Sequence, residues 1–328
     1  MIRGLAVMLM VFHHLFAFPE RISYSYFAPL DFAGLHLETI LAYYGRICIS
    51  IFAFLTGYGM IQKEQNKEYQ SIRRGYGSAM RQLTKFLLRF WLVYVIWVPL
   101  GIVRGSYEWE ARTFFRGLLG LNCKYNQEWW YVSEYIKILL VFPIAAYLIR
   151  RGKKSKYITC AIAGVSLLFS MKGNTFANVF LCSFIGMIAA EHRIFDVLDD
   201  RLRRRGRFAY IVFMVSCIGI LAGRFVYSQG TLTDFFYAPI LIWVCSCALK
   251  SKYCLKVCGA VLKVVGRYST YIWLTHTFFA YYYFQKLCFA PYCSWLIFAW
   301  CLLLSALSGI VLEPIAAGIE RHLRVMKA

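Results

Sequence analysis

Ten long apolar segments, separated by basic clusters, govern what this chain can fold into. They run approximately over residues 3–19, 40–62, 84–103, 131–149, 157–171, 175–190, 208–226, 235–249, 268–286 and 294–319. Several approach the roughly 20 residues that a helix needs to cross a bilayer core. In hydrocarbon every backbone N–H and C=O must be satisfied within the chain, so such runs imply helices. The expected fold class is all-α, a polytopic transmembrane helical bundle of about ten spanning helices, with a single domain over residues 1–328. The fifth and sixth segments are short and joined by Met171-Lys-Gly-Asn-Thr175. They read as a thin hairpin or a re-entrant excursion.

The placement of charge supports this count. With the N-terminus on the cytoplasmic side, the inner connections and ends hold 27 Lys and Arg and the outer ones hold 8. That alternation follows the positive-inside rule and puts both termini in the cytoplasm. The same rule accounts for a net charge of +21 without a polyanion, so no nucleic-acid partner is expected; the surroundings are membrane lipids. Only 16% of residues are charged, well under the quarter or so usual in soluble domains.

Twelve cysteines show no zinc spacing and no Cys-x-x-Cys pair, and most lie in apolar segments as small hydrophobes. Cys288 and Cys293 flank a short turn and could pair if it faces an oxidising compartment. The first segment has the look of a signal peptide, but His13 and His14 interrupt it and Phe16-Ala-Phe-Pro-Glu20 is a poor cleavage site.

Ionisable residues inside the segments are the candidates for chemistry, because such groups are costly at membrane depth. Arg3 opens the first segment, and at a helical rise of about 1.5 Å His14 lies roughly 16 Å further in. Adjacent His13 points to a different helix face. Arg46, in the second segment, lies some ~9 Å below the outer boundary, near the depth of His14. It either snorkels outward or serves as an anion-stabilising or acceptor-binding group. Glu134 and Lys137 share a helix face, as an intrahelical pair or as a polar pocket wall. His276, about 12–15 Å from the inner surface, is a third histidine at buried depth. Metal ligation is disfavoured, since adjacent histidines point about 100° apart on a helix. Imidazole can accept a hydroxyl proton or carry an acyl group briefly. The tryptophan- and tyrosine-rich connection from Arg104 to Tyr131 reads as interfacial anchors or as a platform for sugar rings.

These residues carry a resemblance. Arg3, followed after ten residues by His14, is similar to the Arg-x10-His signature of the acyltransferase 3 family of integral membrane O-acyltransferases. Gly45-Arg-Ile and Phe52-Ala-Phe-Leu-Thr-Gly-Tyr58 resemble its next element, with Thr56 in place of serine. Lys85-Phe-Leu-Leu-Arg89 resembles the basic entry to the third helix. Trp130-Tyr-Val, Tyr135, Pro143, Tyr268-Ser, Trp273-Leu-Thr-His276 and Leu312-Glu-Pro314 follow in the expected order. The likeness thus covers nearly the whole chain. It departs in three ways: no aromatic-Asp element precedes Arg3, leaving open a longer natural start; the proline near the head of the third helix is absent; and no SGNH-type esterase domain follows.

The resemblance implies transfer of an acyl group, usually acetyl, from cytoplasmic acyl-CoA to a hydroxyl of an extracytoplasmic or lipid-linked glycan or related envelope acceptor. His14 would be the base or transient acyl carrier, with Arg3 on the donor side. His13, Arg46, Glu134 and His276 would line the polar cavity. Acetyl-CoA is a substrate, and no bound cofactor or metal is expected. CoA carries several phosphate charges, so Arg3, Lys85 and Arg89 are the expected donor-binding residues. The implied location is a cell membrane, with the bacterial cytoplasmic membrane expected. The alternative is a transporter or flippase using the same buried groups as a substrate or proton path.

Overall fold

The computed structural model describes residues 1–32, 35–65, 72–150, 155–226 and 232–325. The chain is a helical bundle. It opens with α1 (Ile2–Phe16), followed by α2 (Leu37–Tyr44), which runs through a 3-10 turn at Gly45–Ile47 into α3 (Cys48–Gln65). Then come α4 (Ile72–Val103), a short α5 (Ala111–Leu118), α6 (Trp130–Ile149), α7 (Ser155–Met171), α8 (Thr175–Glu191) and α9 (Ile194–Arg204). The second half holds α10 (Arg207–Val226), α11 (Asp234–Ala248), α12 (Lys252–Arg267), α13 (Ser269–Thr277), α14 (Gln285–Phe289) and α15 (Ser294–Val325). A π-helical turn, Phe278–Tyr282, continues α13. The one small sheet among the described residues is an antiparallel pairing of Asp31–Phe32 with Leu35–His36.

Each of the ten apolar segments coincides with a helix or a broken run of helix. Among the described residues, five helical stretches are long and apolar enough to cross a membrane: Leu37–Lys63, Ile72–Val103, Gln127–Ile149, Arg207–Phe225 and Ser294–Leu323. A sixth arises if α8 and α9, bent by 58°, form one broken span, and α1, α7 and α11 are shorter apolar helices. The fifth and sixth segments form a hairpin, α7 against α8. Three stretches expected as connections, α5, α9 and α12, are helical instead. Helices α9 and α12 carry apolar residues on one stripe and Lys or Arg on the other, so each covers the bundle with one face.

The bundle is built around α1, where Ala6, Val7, Val11 and Phe16 are fully buried. Helices α2, α3, α12, α13 and α15 pack against it. The tightest contact joins α3 and α8, and paired glycines permit it. A methyl at Gly57 would lie 2.0 Å from the Ser183 carbonyl oxygen, and one at Gly186 would lie 2.1 Å from that of Phe54. Small residues allow such backbone approach where water supplies no driving force for helix association. In contrast α10 lies at the edge, with Phe208, Val215 and Ile218 exposed, as lipid-facing side chains would be.

All twelve cysteines are free thiols. Cys288 and Cys293 are therefore unpaired, and the Cys288 thiol lies against that of Cys301. Arg224, one of the eight Lys and Arg assigned above to the outer side, is instead one of the most buried side chains, 1% exposed against Asp234 at 0%. Its Nε and Nη2 donate to the two Asp234 carboxylate oxygens at 2.7 and 3.1 Å, and Nη1 donates to the Tyr44 carbonyl at 2.9 Å. This pair clamps the α10–α11 hairpin to the end of α2.

Candidate active site

A cavity of about 810 Å³ runs beside α1. Its lining begins at Arg3, passes Met10, His13 and His14, and reaches Arg21, Gln127 and Glu128 beyond the far end of the helix. The fifteen residues of α1 correspond to about 22 Å of helix, so the cavity follows most of a membrane's depth. Arg46 and Glu134 also line it, as do the aromatic side chains of Phe52, Trp130, Tyr131, Tyr135 and Trp273.

His14 and His276 meet beside this cavity, 262 residues apart in sequence. His14 Nδ1 lies 2.8 Å from His276 Nε2. The other ring nitrogen of His276, Nδ1, lies 3.0 Å from the Ile272 carbonyl and 2.9 Å from that of Trp273. Carbonyl oxygens only accept, so His276 Nδ1 carries the proton and its Nε2 is a bare lone pair. That lone pair then requires the proton of the pair to sit on His14 Nδ1. His14 Nε2 is left as the basic nitrogen, free for a substrate hydroxyl. The tautomers are thus assigned from the partners. The Tyr281 hydroxyl, which the π turn carries round after His276, donates a close hydrogen bond to the His14 carbonyl at the end of α1.

His13 has a different task. Its Nδ1 donates to the Ala42 carbonyl at 2.8 Å, tying α1 to α2, while its ring still lines the cavity. The 3-10 turn that carries Arg46 presses on α1 here. A methyl at Gly45 would lie 2.4 Å from the Leu9 carbonyl oxygen and 3.1 Å from His13 Cβ. Only glycine lets that turn come so close, and the turn brings Arg46 to the level of the histidines.

At one end of the cavity Arg3 shares the lining with Gln82. Gln82 accepts from Lys63 Nζ at 3.3 Å and donates to the Tyr135 hydroxyl at 3.1 Å. At the opposite end Arg21 donates to Glu128 at 2.9 Å, and the Tyr282 hydroxyl donates to the other Glu128 oxygen at 3.0 Å. Glu134 is both a wall residue and half of an ion pair, with Lys137 Nζ 2.8 Å from its Oε1.

The structure does not bring every sequence candidate to the cavity. Lys85 and Arg89 are absent from its lining, and so is His276, which touches His14 from behind rather than facing the cavity. Arg89 makes a two-pronged pair with Glu313, at 2.9 and 2.7 Å, and a third contact with Glu320 at 2.6 Å, joining α4 to α15. Lys85 lies 4.0 Å from Glu320. The residues that sequence reasoning missed are Glu128, Tyr281, Arg21 and the Arg224–Asp234 pair. Glu128 lies in the aromatic connection read as anchors, where an acid among tryptophans is the available signal.

A model of the acyltransferase domain family, acyltransferase 3, matches residues 1–313 of the 328-residue chain. Searches of curated proteins and of solved structures each found no match. With a match over nearly the whole length, and a multi-pass helical bundle enclosing a histidine pair beside a long cavity, the chain belongs to the acyltransferase 3 family of membrane acyltransferases.

Proposed function

We propose that this protein transfers an acyl group, acetyl in the simplest case, from acyl-CoA at the Arg3 end of the cavity to a hydroxyl of an envelope glycan or lipid-linked acceptor entering from the Arg21 end. The carrying observation is that one cavity reaches both ends of α1 with His14 between them. In this reading the acceptor hydroxyl gives its proton to His14 Nε2 as its oxygen attacks the thioester carbonyl. The new O–C bond forms, the C–S bond breaks, and the proton passes from His14 to the departing thiolate. As His14 gains charge, its Nδ1–H bond to His276 strengthens, which favours the transition state over the ground state. A variant of the same chemistry carries the acyl group briefly on His14 Nε2 before the acceptor takes it.

Arg3 is the donor-side cation in this scheme, suited to a phosphate of CoA. Lys85 and Arg89 flank the same end of the bundle; Arg89 already spends its nitrogens on carboxylates, so Lys85 is the better supported of the two. His13, His14, Arg46 and Glu134 belong to the acceptor half of the cavity, with His276 behind His14. The protein is proposed to work in the bacterial cytoplasmic membrane, where the excess of basic connections would face the cytoplasm.

The test uses the full chain in lipid nanodiscs with acetyl-CoA and an envelope extract as acceptor, reading free CoA release and acceptor mass. General-base catalysis contributes roughly 10²–10⁴-fold, so His14→Ala should slow CoA release by at least about 10²-fold with thermal unfolding unchanged. A folded His14→Ala protein that keeps the parent rate would sink the assignment.

A further inference from the structure

A smaller lobe of about 240 Å³ adjoins the main cavity, and the two share Arg46, Ile49, Trp130 and Thr175 in their walls. The rest of the lobe lies against the end of α7 and the start of α8, where Ser170, Gly173 and Asn174 contribute. We propose that this lobe is a subsite for an oxyanion on the acceptor, a sugar carboxylate or a glycosyl phosphate, with Arg46 as its cation. The inference rests on the acyl-transfer reading for the word acceptor, but its chemistry stands on the lobe itself.

Charge makes the first argument. Among the described residues the cavity acids are already engaged: Glu128 with Arg21, and Glu134 with Lys137. Asp234, close enough to act on Arg46, gives both oxygens to Arg224. No described carboxylate pairs with Arg46, whose side chain is exposed to this space. A guanidinium facing this space without a counter-ion attracts an anion that brings one.

Hydrogen bonding makes the second. Ser170 lines the lobe, is 1% exposed, and its hydroxyl has no partner. A buried hydroxyl left unpaired costs free energy that a bound acceptor oxygen would recover. The cation is also held in place. Gly45 abuts α1 on one side, and Arg224 donates to the Tyr44 carbonyl on the other. The turn carrying Arg46 is therefore fixed before any ligand arrives, which lowers the ordering cost of binding.

The occupant is assigned to the acceptor because Arg46 sits at the level of His13, not at the Arg3 end. An anion on Arg46 would anchor the sugar within reach of the histidine pair, and the aromatic face of Trp130 in the shared wall suits a sugar ring.

Calorimetric titration of the full chain in nanodiscs, without donor, tests this with glucuronate, glucose 1-phosphate, inorganic phosphate and glucose as probes. At least one sugar acid should bind about tenfold or more tightly than glucose, the expected worth of a charge-assisted hydrogen bond. Arg46→Gln should erase that preference, Arg46→Lys should keep part of it, and Ser170→Ala should weaken the acid several-fold. The carboxylate and phosphate arms tell which oxyanion is taken. Equal binding of both acids and glucose, or an undiminished preference in Arg46→Gln, overturns the proposal. Inorganic phosphate binding as tightly as the sugar acids reduces the lobe to a free-anion site and overturns it as well. The titration contains no donor and reads binding alone, so a failure of the transfer reading, seen in CoA release, is registered separately.

Discussion

Two polar clusters are buried on either side of the α2–α3 turn, and they are built on opposite plans. In the Arg224–Asp234 pair every group is answered: both carboxylate oxygens take a guanidinium N–H, and the remaining nitrogen donates to Tyr44. In the His14–His276 pair the chain of hydrogen bonds starts on two backbone carbonyls and stops short. One nitrogen, His14 Nε2, is left over beside a cavity. A closed network can only hold the fold together, whereas an open one has something to offer a substrate. Arg89, satisfied on all sides by Glu313 and Glu320, belongs with the first kind despite lying in a motif that suggests the second.

Removing one member of the closed pair should have the largest effect on the fold. Arg224→Ala leaves the Asp234 carboxylate buried and unpaired, a loss of about 3–5 kcal/mol. Thermal unfolding in nanodiscs reads it, and replacing both residues with methionine and leucine should recover most of the loss. If the single substitution proves harmless, the pair is not the clamp described above. In the open pair the loss should fall on turnover instead. His276→Leu removes the acceptor for the His14 Nδ1–H, and kcat should drop on the order of tenfold to a hundredfold with stability little changed. His276→Gln, which offers a carbonyl oxygen, should retain more. Equal damage from Leu and Gln would show that packing, not proton placement, is what His276 supplies. His13→Phe should be the mildest, costing about 1 kcal/mol for the bond to Ala42, with acyl transfer nearly intact. A collapse of activity there would move His13 into the open cluster.

Much of the helical architecture is legible from the chain, because hydrocarbon permits few alternatives to a helix over each apolar run. The amphipathic α9 and α12 are harder to see, since their basic residues read equally well as cytoplasmic connections. His14 stands out by the cost of burying it, and its ten-residue spacing from Arg3 matches the family. Its pairing with His276 is invisible in one dimension, as 262 residues separate them. The Arg89 pairings cross similar distances, although Glu313 and Glu320, seven apart on one helix, share a face that could have been noticed. Arg224 was obscured by a rule that works on average. Counting charges on connections treats every arginine at a helix end as solvated, and here an aspartate ten residues later captures it.

The length of the main cavity has a consequence for the membrane itself. A polar path from Arg3 to Arg21 is also a route by which ions could leak, and a single charge crossing 100 mV is driven by about 2.3 kcal/mol. The cavity carries its own safeguard. Arg3 and Arg46 lack carboxylate partners among the described residues, so one fixed positive charge stands at the Arg3 end of the path and another beside the histidines. Such charges repel hydronium and metal cations while admitting anions, much as arginine excludes protons from water channels. Under the proposed transfer, the electrochemical gradient would be kept while an anionic thioester enters from one face and the acceptor from the other.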